Sequence, residues 1–243
     1  MTDLWRVSLP SKMICIESID KGGKGTVMRG LWVGNEVGTL RFPKGVVFTA
    51  EPYESCLMGQ EIRKVLTHKL PAPNAYDLQR MFVINRAVHQ QCVVRPALAA
   101  GKIVICDRGP WSTLVYGIGQ TYPDGPPPDD SIKHFLDTDQ IIELHNRIIG
   151  PNLMVWPDLV VYLDIAAEVA MQRSQSAVDP PQYFEKYEVL ERVRRNYREL
   201  IAGTTLRGQQ IGHSDVVVID GNQPREDVLR DVITAIRDFL RIH

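Results

Sequence analysis

Apolar residues fall into five short runs along the chain, and longer stretches with helical spacing separate them. The runs lie at 13–19, 45–49, 102–107, 159–164 and 216–219. Each is nearly continuous rather than alternating, which is typical of a strand buried on both faces in a parallel sheet. Parallel neighbours need long crossovers, normally helical and right-handed. The pattern therefore predicts an α/β fold, a five-stranded parallel sheet with helices on both faces.

The stretches between the runs predict the helices. We expect helices at about 27–35, 55–68, 74–100, 111–120, 138–149, 167–173 and 182–202, and from about 224 to near the end of the chain. Ser55 is the predicted N-cap of the second, and Gly101 ends the long third one. Residues 121–130, TYPDGPPPDD, predict a polar surface loop, and 174–181 predict a small, polar, proline-containing lid.

The turn after the first strand contains a phosphate-loop pattern, G-x-x-x-x-G-K-[ST], with two departures. Gly23 and Lys24 match, but Ser18 stands where the first glycine belongs. Gly25 stands where the magnesium-binding hydroxyl belongs, and Thr26 follows one residue later. Strand, glycine turn and helix form the context in which backbone N–H groups bind a polyphosphate. The alternative is a tight turn that needs small residues, and the rest of the chain must decide between them.

Composition narrows the class of partner. The formal net charge is −1, with 28 basic and 29 acidic residues, which argues against a protein that binds nucleic acid. The four cysteines form no C-x-x-C pair, which indicates a reducing compartment and no zinc site. No apolar run approaches about 18 residues, and the N-terminal stretch has no apolar leader pattern. We expect a cytoplasmic protein without a membrane partner.

Five segments, in order along nearly the whole chain, resemble the thymidylate kinase family of nucleoside-monophosphate kinases. They are Glu17 to Thr26, Glu51-Pro52 with Gly59 to Arg63, FVINRAVH at 82–89, RPALAAGKIVICDR at 95–108 and PDLVVYLDIAAEVAMQR at 157–173. The resemblance implies a three-layer P-loop kinase fold in a single domain, 1–243, with a lid at about 174–182. It also implies ATP and Mg²⁺ as cofactors, nucleotide substrates with dTMP as the leading acceptor, and a homodimer.

For the phosphate-donor end, the resemblance implies that the loop residues Ser18, Lys21, Gly22, Gly23, Lys24, Gly25 and Thr26 contact ATP, with Arg173 near the adenine. Lys24 suits the β- and γ-phosphates, and Asp20 and Asp107 suit magnesium, which prefers carboxylates and retained waters. Lys21 is a candidate transition-state cation, because 174–181 contains no Arg or Lys. The alternative for Lys21 is an exposed lysine in a turn. The predicted catalytic residues are Lys21, Lys24, Asp20 and Arg108.

For the acceptor end, the family pattern implies that Phe82 stacks on the base and that Arg86, one turn later on the same helix face, reaches a base carbonyl. Arg108 can hold the acceptor phosphate bidentately. Thr113 matches a position that faces the base, and Tyr116 one near the sugar that disfavours a 2′-hydroxyl. The remaining predicted substrate contacts are Glu51, Pro52 and Arg63. Core packing is the alternative for Phe82, as helix packing is for Thr113 and Tyr116.

Departures from the family pattern gather on the acceptor side. Ala50 replaces the usual arginine, Tyr53-Glu54 a glycine pair, and Gly109 a frequent tyrosine. Residues 121–156 form a longer loop-and-helix region than usual. These changes predict an altered or broadened acceptor, for example a modified pyrimidine deoxynucleotide.

Two other functions stay open at this stage. A deoxynucleoside kinase needs a carboxylate base, and Glu17 or Glu51 could supply it. A non-catalytic nucleotide-binding regulator is the second alternative, because Ser18 and Gly25 alter the phosphate loop.

Overall fold

Five parallel strands form the centre of the molecule. The computed structural model describes residues 11–42, 44–118, 136–176, 180–203 and 214–241, and structural statements below concern these residues. The strands lie in the order β2-β3-β1-β4-β5 and confirm the predicted sheet. Their bounds are Met13–Glu17 (β1), Val46–Ala50 (β2), Ile103–Asp107 (β3), Leu159–Asp164 (β4) and Asp215–Asp220 (β5). In the central register, Cys15 lies between Cys106 and Val160.

Burial follows position in the sheet. Every residue of β1 is buried, because β3 and β4 flank it and helices cover both faces. The edge strands are less covered, and Val218 of β5 is 52% exposed. The continuous apolar runs of the sequence therefore mark the inner strands best.

Nine α-helices surround the sheet within the described residues. Their bounds are Lys24–Glu36 (α1), Leu57–Leu66 (α2), Ala75–His89 (α3), Arg95–Ala99 (α4), Pro110–Gly117 (α5), Thr138–Ile148 (α6), Ala167–Gln175 (α7), Tyr187–Ile201 (α8) and Arg225–Leu240 (α9). One face is covered by α1 and α9, and the other by α2, α3, α5 and α8, as the hydrophobic core clusters show. No described helix has both the length and the apolar character needed to cross a membrane.

The predicted helix at 74–100 is interrupted. A π-helical turn, Gln90–Val94, separates α3 from α4. Pro96 lies just beyond it, and proline removes an N–H and clashes with the carbonyl four residues earlier, so a widened turn accommodates it. Gln90 then uses its side chain to bind the backbone of Val155 in both directions, at 2.9 and 3.0 Å.

Two further boundaries correct the predictions. The N-cap of α2 is Cys56 and not Ser55, and no side chain caps the helix there. Helix α7 extends to Gln175, so the first residues of the predicted lid are helical. Residues 177–179 of that lid, and 119–135 of the predicted acceptor-side insertion, lie outside the described residues.

The sheet order places the loop after β1 at a special point. Strand β1 pairs with β3 on one side and with β4 on the other, so β2 and β3 lie to one side of β1, and β4 and β5 lie to the other. The direction in which successive strands are added to the sheet therefore changes at β1. Ligands of open α/β sheets bind at the carboxyl edge beside such a point. Residues 18–26 lie there, together with the ends of β2 and β3.

Candidate active site

The carboxyl edge of the sheet opens into a cavity of about 610 Å³. The loop after β1 and Arg173 line one end, residues of α3 and α5 line the other, and Asp107 and Arg108 lie on the wall between them. Sixteen of the predicted site residues line this cavity: Asp20, Lys21, Gly22, Gly23, Lys24, Gly25, Thr26, Glu51, Pro52, Arg63, Phe82, Asp107, Arg108, Thr113, Tyr116 and Arg173. Ser18 and Arg86 do not.

The altered loop keeps a compact turn. The Ser18 hydroxyl donates to the Leu163 carbonyl at 2.7 Å, so this side chain fixes the loop to β4. A Cβ atom on Gly22 would lie 1.9 Å from Ser18 Oγ, which makes glycine necessary at 22 while serine stands at 18. Gly23 has φ +95°, a conformation that favours glycine. Helix α1 then begins at Lys24, with its positive dipole end toward the cavity.

Lys24 is held at the base of the loop. Its ammonium donates to the carbonyls of Ile19 at 2.9 Å and Ser18 at 3.3 Å, and the residue is only 7% exposed. Burial, followed by the nearby Arg108 charge, lowers the pKa of Lys24 to about 8. Carbonyl ligands of this kind are weak compared with a polyphosphate, so Lys24 can exchange them for phosphate oxygens.

Arg108 connects the two ends of the cavity. It has φ +69°, and its guanidinium donates to the Ser18 carbonyl at 3.1 Å, to Ser112 at 3.0 Å and to the Asp20 carboxylate. It also donates to the Tyr116 hydroxyl at 3.0 Å, with its central carbon 4.8 Å from that ring. The arrangement presents a cation between the phosphate loop and α5.

Lys21 has a partner that sequence reasoning missed. Its ammonium lies 3.5 Å from the Glu185 carboxylate, which also accepts a hydrogen bond from Ser174. Arg173 donates to the Lys21 carbonyl at 3.4 Å. Lys21 is therefore not the free turn lysine of the alternative interpretation. Glu185 lies in a run of polar and aromatic residues with no local motif, so the sequence carried no signal for it.

Arg86 has a different environment from the predicted one. Its guanidinium makes five hydrogen bonds within the protein, as many as it has N–H groups. The acceptors are Glu51 (twice, 2.9 and 2.5 Å), Thr113 (2.8 Å), His145 (2.8 Å) and the Gly109 carbonyl (2.9 Å). The residue is 2% exposed and lies behind the cavity wall. This arrangement leaves no N–H of Arg86 for a base carbonyl, so the predicted contact has no support in it.

The groups around Arg86 have defined protonation. Burial alone raises the pKa of Glu51, but Arg86 and His89 outweigh this effect and lower the pKa to about 2. Burial and the Arg86 charge lower the pKa of His145 to about 3. A neutral His145 donates through Nδ1 to the Ile141 carbonyl at 2.8 Å and accepts from Arg86 through Nε2. His145 comes from α6, and its part in this network was not predicted.

Neither carboxylate proposed for a nucleoside kinase has the freedom of a general base. Glu17 is fully buried off the cavity wall, and it accepts from Ser112 at 2.6 Å and Tyr197 at 2.7 Å. Burial raises the pKa of Glu17. Glu51 reaches the wall, but its low pKa and its pairing with Arg86 make it a poor proton acceptor.

Packing explains why position 109 is a glycine. A Cβ atom there would lie 2.6 Å from Cys15 Sγ, so β1 occupies the space that a larger residue needs. The departure from the family pattern at Gly109 therefore matches Cys15 in the neighbouring strand.

Comparisons with known proteins agree with one another. The family model described as thymidylate kinase matches residues 16–125. A probable thymidylate kinase of Methanospirillum hungatei is 30% identical over 226 residues, 93% of each chain. The thymidylate kinase of Coprothermobacter proteolyticus is 30% identical over 227 residues, 92% of this chain and 98% of the relative. That of Desulfovibrio desulfuricans is 33% identical over 204 residues, 80% of this chain and 82% of the relative.

Proposed function

The chain belongs to the thymidylate kinase family, and from this premise we propose that it transfers the terminal phosphoryl group of ATP to the phosphate of a deoxynucleoside monophosphate, most readily dTMP. It is a nucleoside-monophosphate kinase, and its substrates are nucleotides. The observation that carries the proposal is the cavity in which the phosphate loop faces Phe82 and α5 across Asp107 and Arg108.

At the donor end, the loop from Ser18 to Thr26 binds the phosphates of ATP. Lys24 contacts the β- and γ-phosphates, and Lys21 stabilises the charge on the transferring group. Arg173 donates to the Lys21 and Gly221 carbonyls, at 3.4 and 3.3 Å, and this position against the loop supports a role near the adenine.

Asp20 and Asp107 are the residues that would hold Mg²⁺. Both line the cavity at the ends of adjacent strands, and two carboxylates with waters and phosphate oxygens suit this ion. When bound, the ion neutralises charge on the phosphates. No cluster of three or more His, Cys, Asp or Glu side chains in the described ranges could hold a metal by itself.

At the acceptor end, Phe82 stacks on the base, and Pro52, Thr113 and Tyr116 complete the pocket. Arg108 holds the acceptor phosphate, and its contacts with Asp20 and the Ser18 carbonyl, which keep the guanidinium beside the loop, support this role. Arg63 and Glu51 line the same cavity. Arg86 acts here as a buried support for Glu51 and Thr113.

We also infer a single domain over 1–243 and a homodimer. The relatives match nearly the full chain, and one sheet runs through the described residues, which supports the first. Family membership supports the second, and light scattering of the purified protein measures it.

Phosphate transfer from ATP·Mg to a panel of acceptors tests the function. The panel holds dTMP, dUMP, 5-substituted dUMPs, dAMP, dGMP and thymidine. We expect a diphosphate product with dTMP among the best acceptors. Lys24→Ala abolishes transfer, whereas Lys64→Ala, on the exposed face of α2, keeps it. Transfer to thymidine but to no monophosphate indicates a nucleoside kinase, and bound ATP without any transfer indicates a regulator.

A further inference from the structure

A buried carboxylate at the end of β1 is linked to Arg108 through one serine. It belongs to Glu17, which is 0% exposed. Its Oε2 atom accepts hydrogen bonds from the Ser112 hydroxyl at 2.6 Å and from the Tyr197 hydroxyl at 2.7 Å. Its Oε1 atom is buried without a hydrogen-bond partner among the described residues. A buried carboxylate with one unsatisfied oxygen costs stability, so its presence needs an explanation beyond packing.

We propose that Glu17 is a positioning residue for phosphate transfer, and that it acts through Ser112 to hold the Arg108 guanidinium toward the acceptor phosphate. The inference rests on the proposed function, in which Arg108 binds that phosphate. It also gives a task to Ser112 and Tyr197, which no motif of the sequence singled out.

Glu17 fixes the direction of the hydrogen bond between Ser112 and Arg108. A guanidinium only donates, and an ionised carboxylate only accepts. Ser112 Oγ lies between the two, 3.0 Å from Arg108 Nη1 and 2.6 Å from Glu17 Oε2. Its single hydroxyl hydrogen therefore goes to Glu17, and its oxygen is left to accept from Arg108. Burial raises the pKa of Glu17, whereas the Arg108 charge opposes this shift, so the cation helps to keep the carboxylate ionised.

The two terminal nitrogens of Arg108 have different kinds of partner. Nη1 donates to the Ser18 carbonyl at 3.1 Å and to Ser112 at 3.0 Å, and both residues are at most 9% exposed. Nη2 donates to the Asp20 carboxylate and to the Tyr116 hydroxyl, which both belong to residues lining the cavity. An arriving phosphate can replace the partners of Nη2, whereas the partners of Nη1 stay and define where the guanidinium lies.

Helix α8 supplies the second donor to Glu17, the Tyr197 hydroxyl. The preceding residue, Asn196, also fastens α8 to α5, through the carbonyls of Val115 and Ile118 at 2.8 and 3.1 Å. That contact does not involve the Glu17 carboxylate. Asn196 is 4% exposed in the same helix interface, so it offers a matched control whose replacement should weaken the packing without moving the guanidinium.

Equilibrium binding of dTMP, and of thymidine, which lacks the phosphate, tests the inference together with kcat/KM for dTMP. We expect Glu17→Met and Ser112→Ala each to weaken dTMP binding and lower kcat/KM by about 10- to 100-fold, because Arg108 loses a fixed acceptor. Thymidine affinity should change by less than about 3-fold, because that ligand does not need the guanidinium.

Glu17→Gln keeps a carbonyl oxygen for both hydroxyls and should retain dTMP affinity and kcat/KM within about 5-fold of the wild type. The double variant Glu17→Met with Ser112→Ala should lose no more than about the larger single loss, because both changes break the same chain of hydrogen bonds.

The control Asn196→Ala should lower the melting temperature and leave the ratio of dTMP to thymidine affinity within about 3-fold of the wild type. Melting temperatures identify a variant that fails to fold, and if Glu17→Met does so, Ser112→Ala decides.

A folded Ser112→Ala or Glu17→Met variant with an unchanged affinity ratio overturns the inference, as does an equal loss for dTMP and thymidine. Single losses that multiply in the double variant overturn it too. These results leave the proposed function intact while the wild type phosphorylates dTMP. A wild type that binds dTMP but transfers to no monophosphate rejects the proposed function instead, and the affinity ratios still decide whether Glu17 positions Arg108.

Discussion

The two ends of the cavity are held in different ways. At the donor end, Lys21 is 3.5 Å from Glu185, Arg173 is 3.4 Å from the Lys21 carbonyl, and the Lys21 side chain is 23% exposed. At the acceptor end, Arg86 makes five bonds of 2.5 to 2.9 Å and is 2% exposed. The contacts of the partly exposed Lys21 are longer than those of Arg86 and should cost less to break than the buried charge network around Arg86.

The difference separates two tasks. In the proposed assignment, the donor end releases its internal partners when phosphates arrive, so we expect its cations to contribute to transfer more than to folding. The acceptor wall, meaning Arg86 with its partners Glu51, Thr113 and His145, is already organised before a nucleotide binds. Little reorganisation is therefore needed there. Mutations at the acceptor wall should therefore reduce stability first, and mutations at the donor loop should reduce the rate first.

The largest expected effect comes from Arg86→Leu. It leaves the Glu51 carboxylate buried beside an apolar residue, so the free energy of unfolding should fall by about 3–5 kcal/mol in urea titrations. The double variant Arg86→Leu with Glu51→Gln should recover part of that loss, because the unpaired charge is gone. A loss below about 1 kcal/mol for the single variant would show that the acceptor wall is not a tightly coupled network.

Lys21→Ala should show the opposite behaviour. We expect kcat to fall by about 10²- to 10³-fold, because one preorganised cation at the transferring group is lost. The free energy of unfolding should fall by less than for Arg86→Leu, since the pair is 3.5 Å long, the Lys21 side chain is 23% exposed, and the buried Glu185 keeps its hydrogen bond from Ser174. Lys21→Arg keeps the charge and should retain most of the rate. Equal losses in rate and stability would contradict the separation of tasks.

His145 makes the acceptor wall sensitive to acid. Its pKa is about 3 in the folded protein against 6.5 ordinarily, so the unfolded chain binds more protons between these values. The free energy of unfolding therefore falls as the pH drops through this window, by about 2 kcal/mol from pH 7 to pH 5. Glu51, with a pKa of about 2 against 4.5, adds its loss mainly below pH 4.5.

Unfolding of the wild type and His145→Gln at pH 7, 6 and 5 measures this effect. Glutamine keeps an acceptor for Arg86 and does not titrate, so its curve should lack the decrease assigned to His145. Parallel curves for the two proteins would place the acid sensitivity elsewhere.

The smallest effect is expected for Gly25→Ser, which restores the motif hydroxyl. A Cβ atom at Gly25 meets nothing within 4 Å, so the free energy of unfolding should stay within about 0.5 kcal/mol. Titration of activity with Mg²⁺ shows whether the hydroxyl matters. A lower magnesium requirement means that Thr26 does not replace it, and an unchanged one means that the donor loop works without it.

The strands of the sheet and the position of the phosphate loop could be predicted from the amino-acid sequence. Buried strands appear as continuous apolar runs, and the phosphate loop is one short stretch whose function depends on its backbone. The strand Met13–Glu17 and the turn to Lys24 could therefore be predicted from one short segment of sequence. The candidate role of Phe82 came from the family pattern. Helix boundaries were less certain, because capping and the π-helical turn before Pro96 depend on contacts such as that of Gln90 with Val155.

The partners of the buried polar groups became visible only in the folded molecule. Arg86 takes its acceptors from the end of β2, the start of α5 and α6, and Lys21 takes Glu185 from beyond the lid. No local pattern encodes such a choice, because a guanidinium can satisfy its five N–H groups with any acceptor that packing brings near. The same packing placed Arg86 behind the cavity and Arg108 on its surface, since burial and desolvation are properties of the assembled elements and not of one segment.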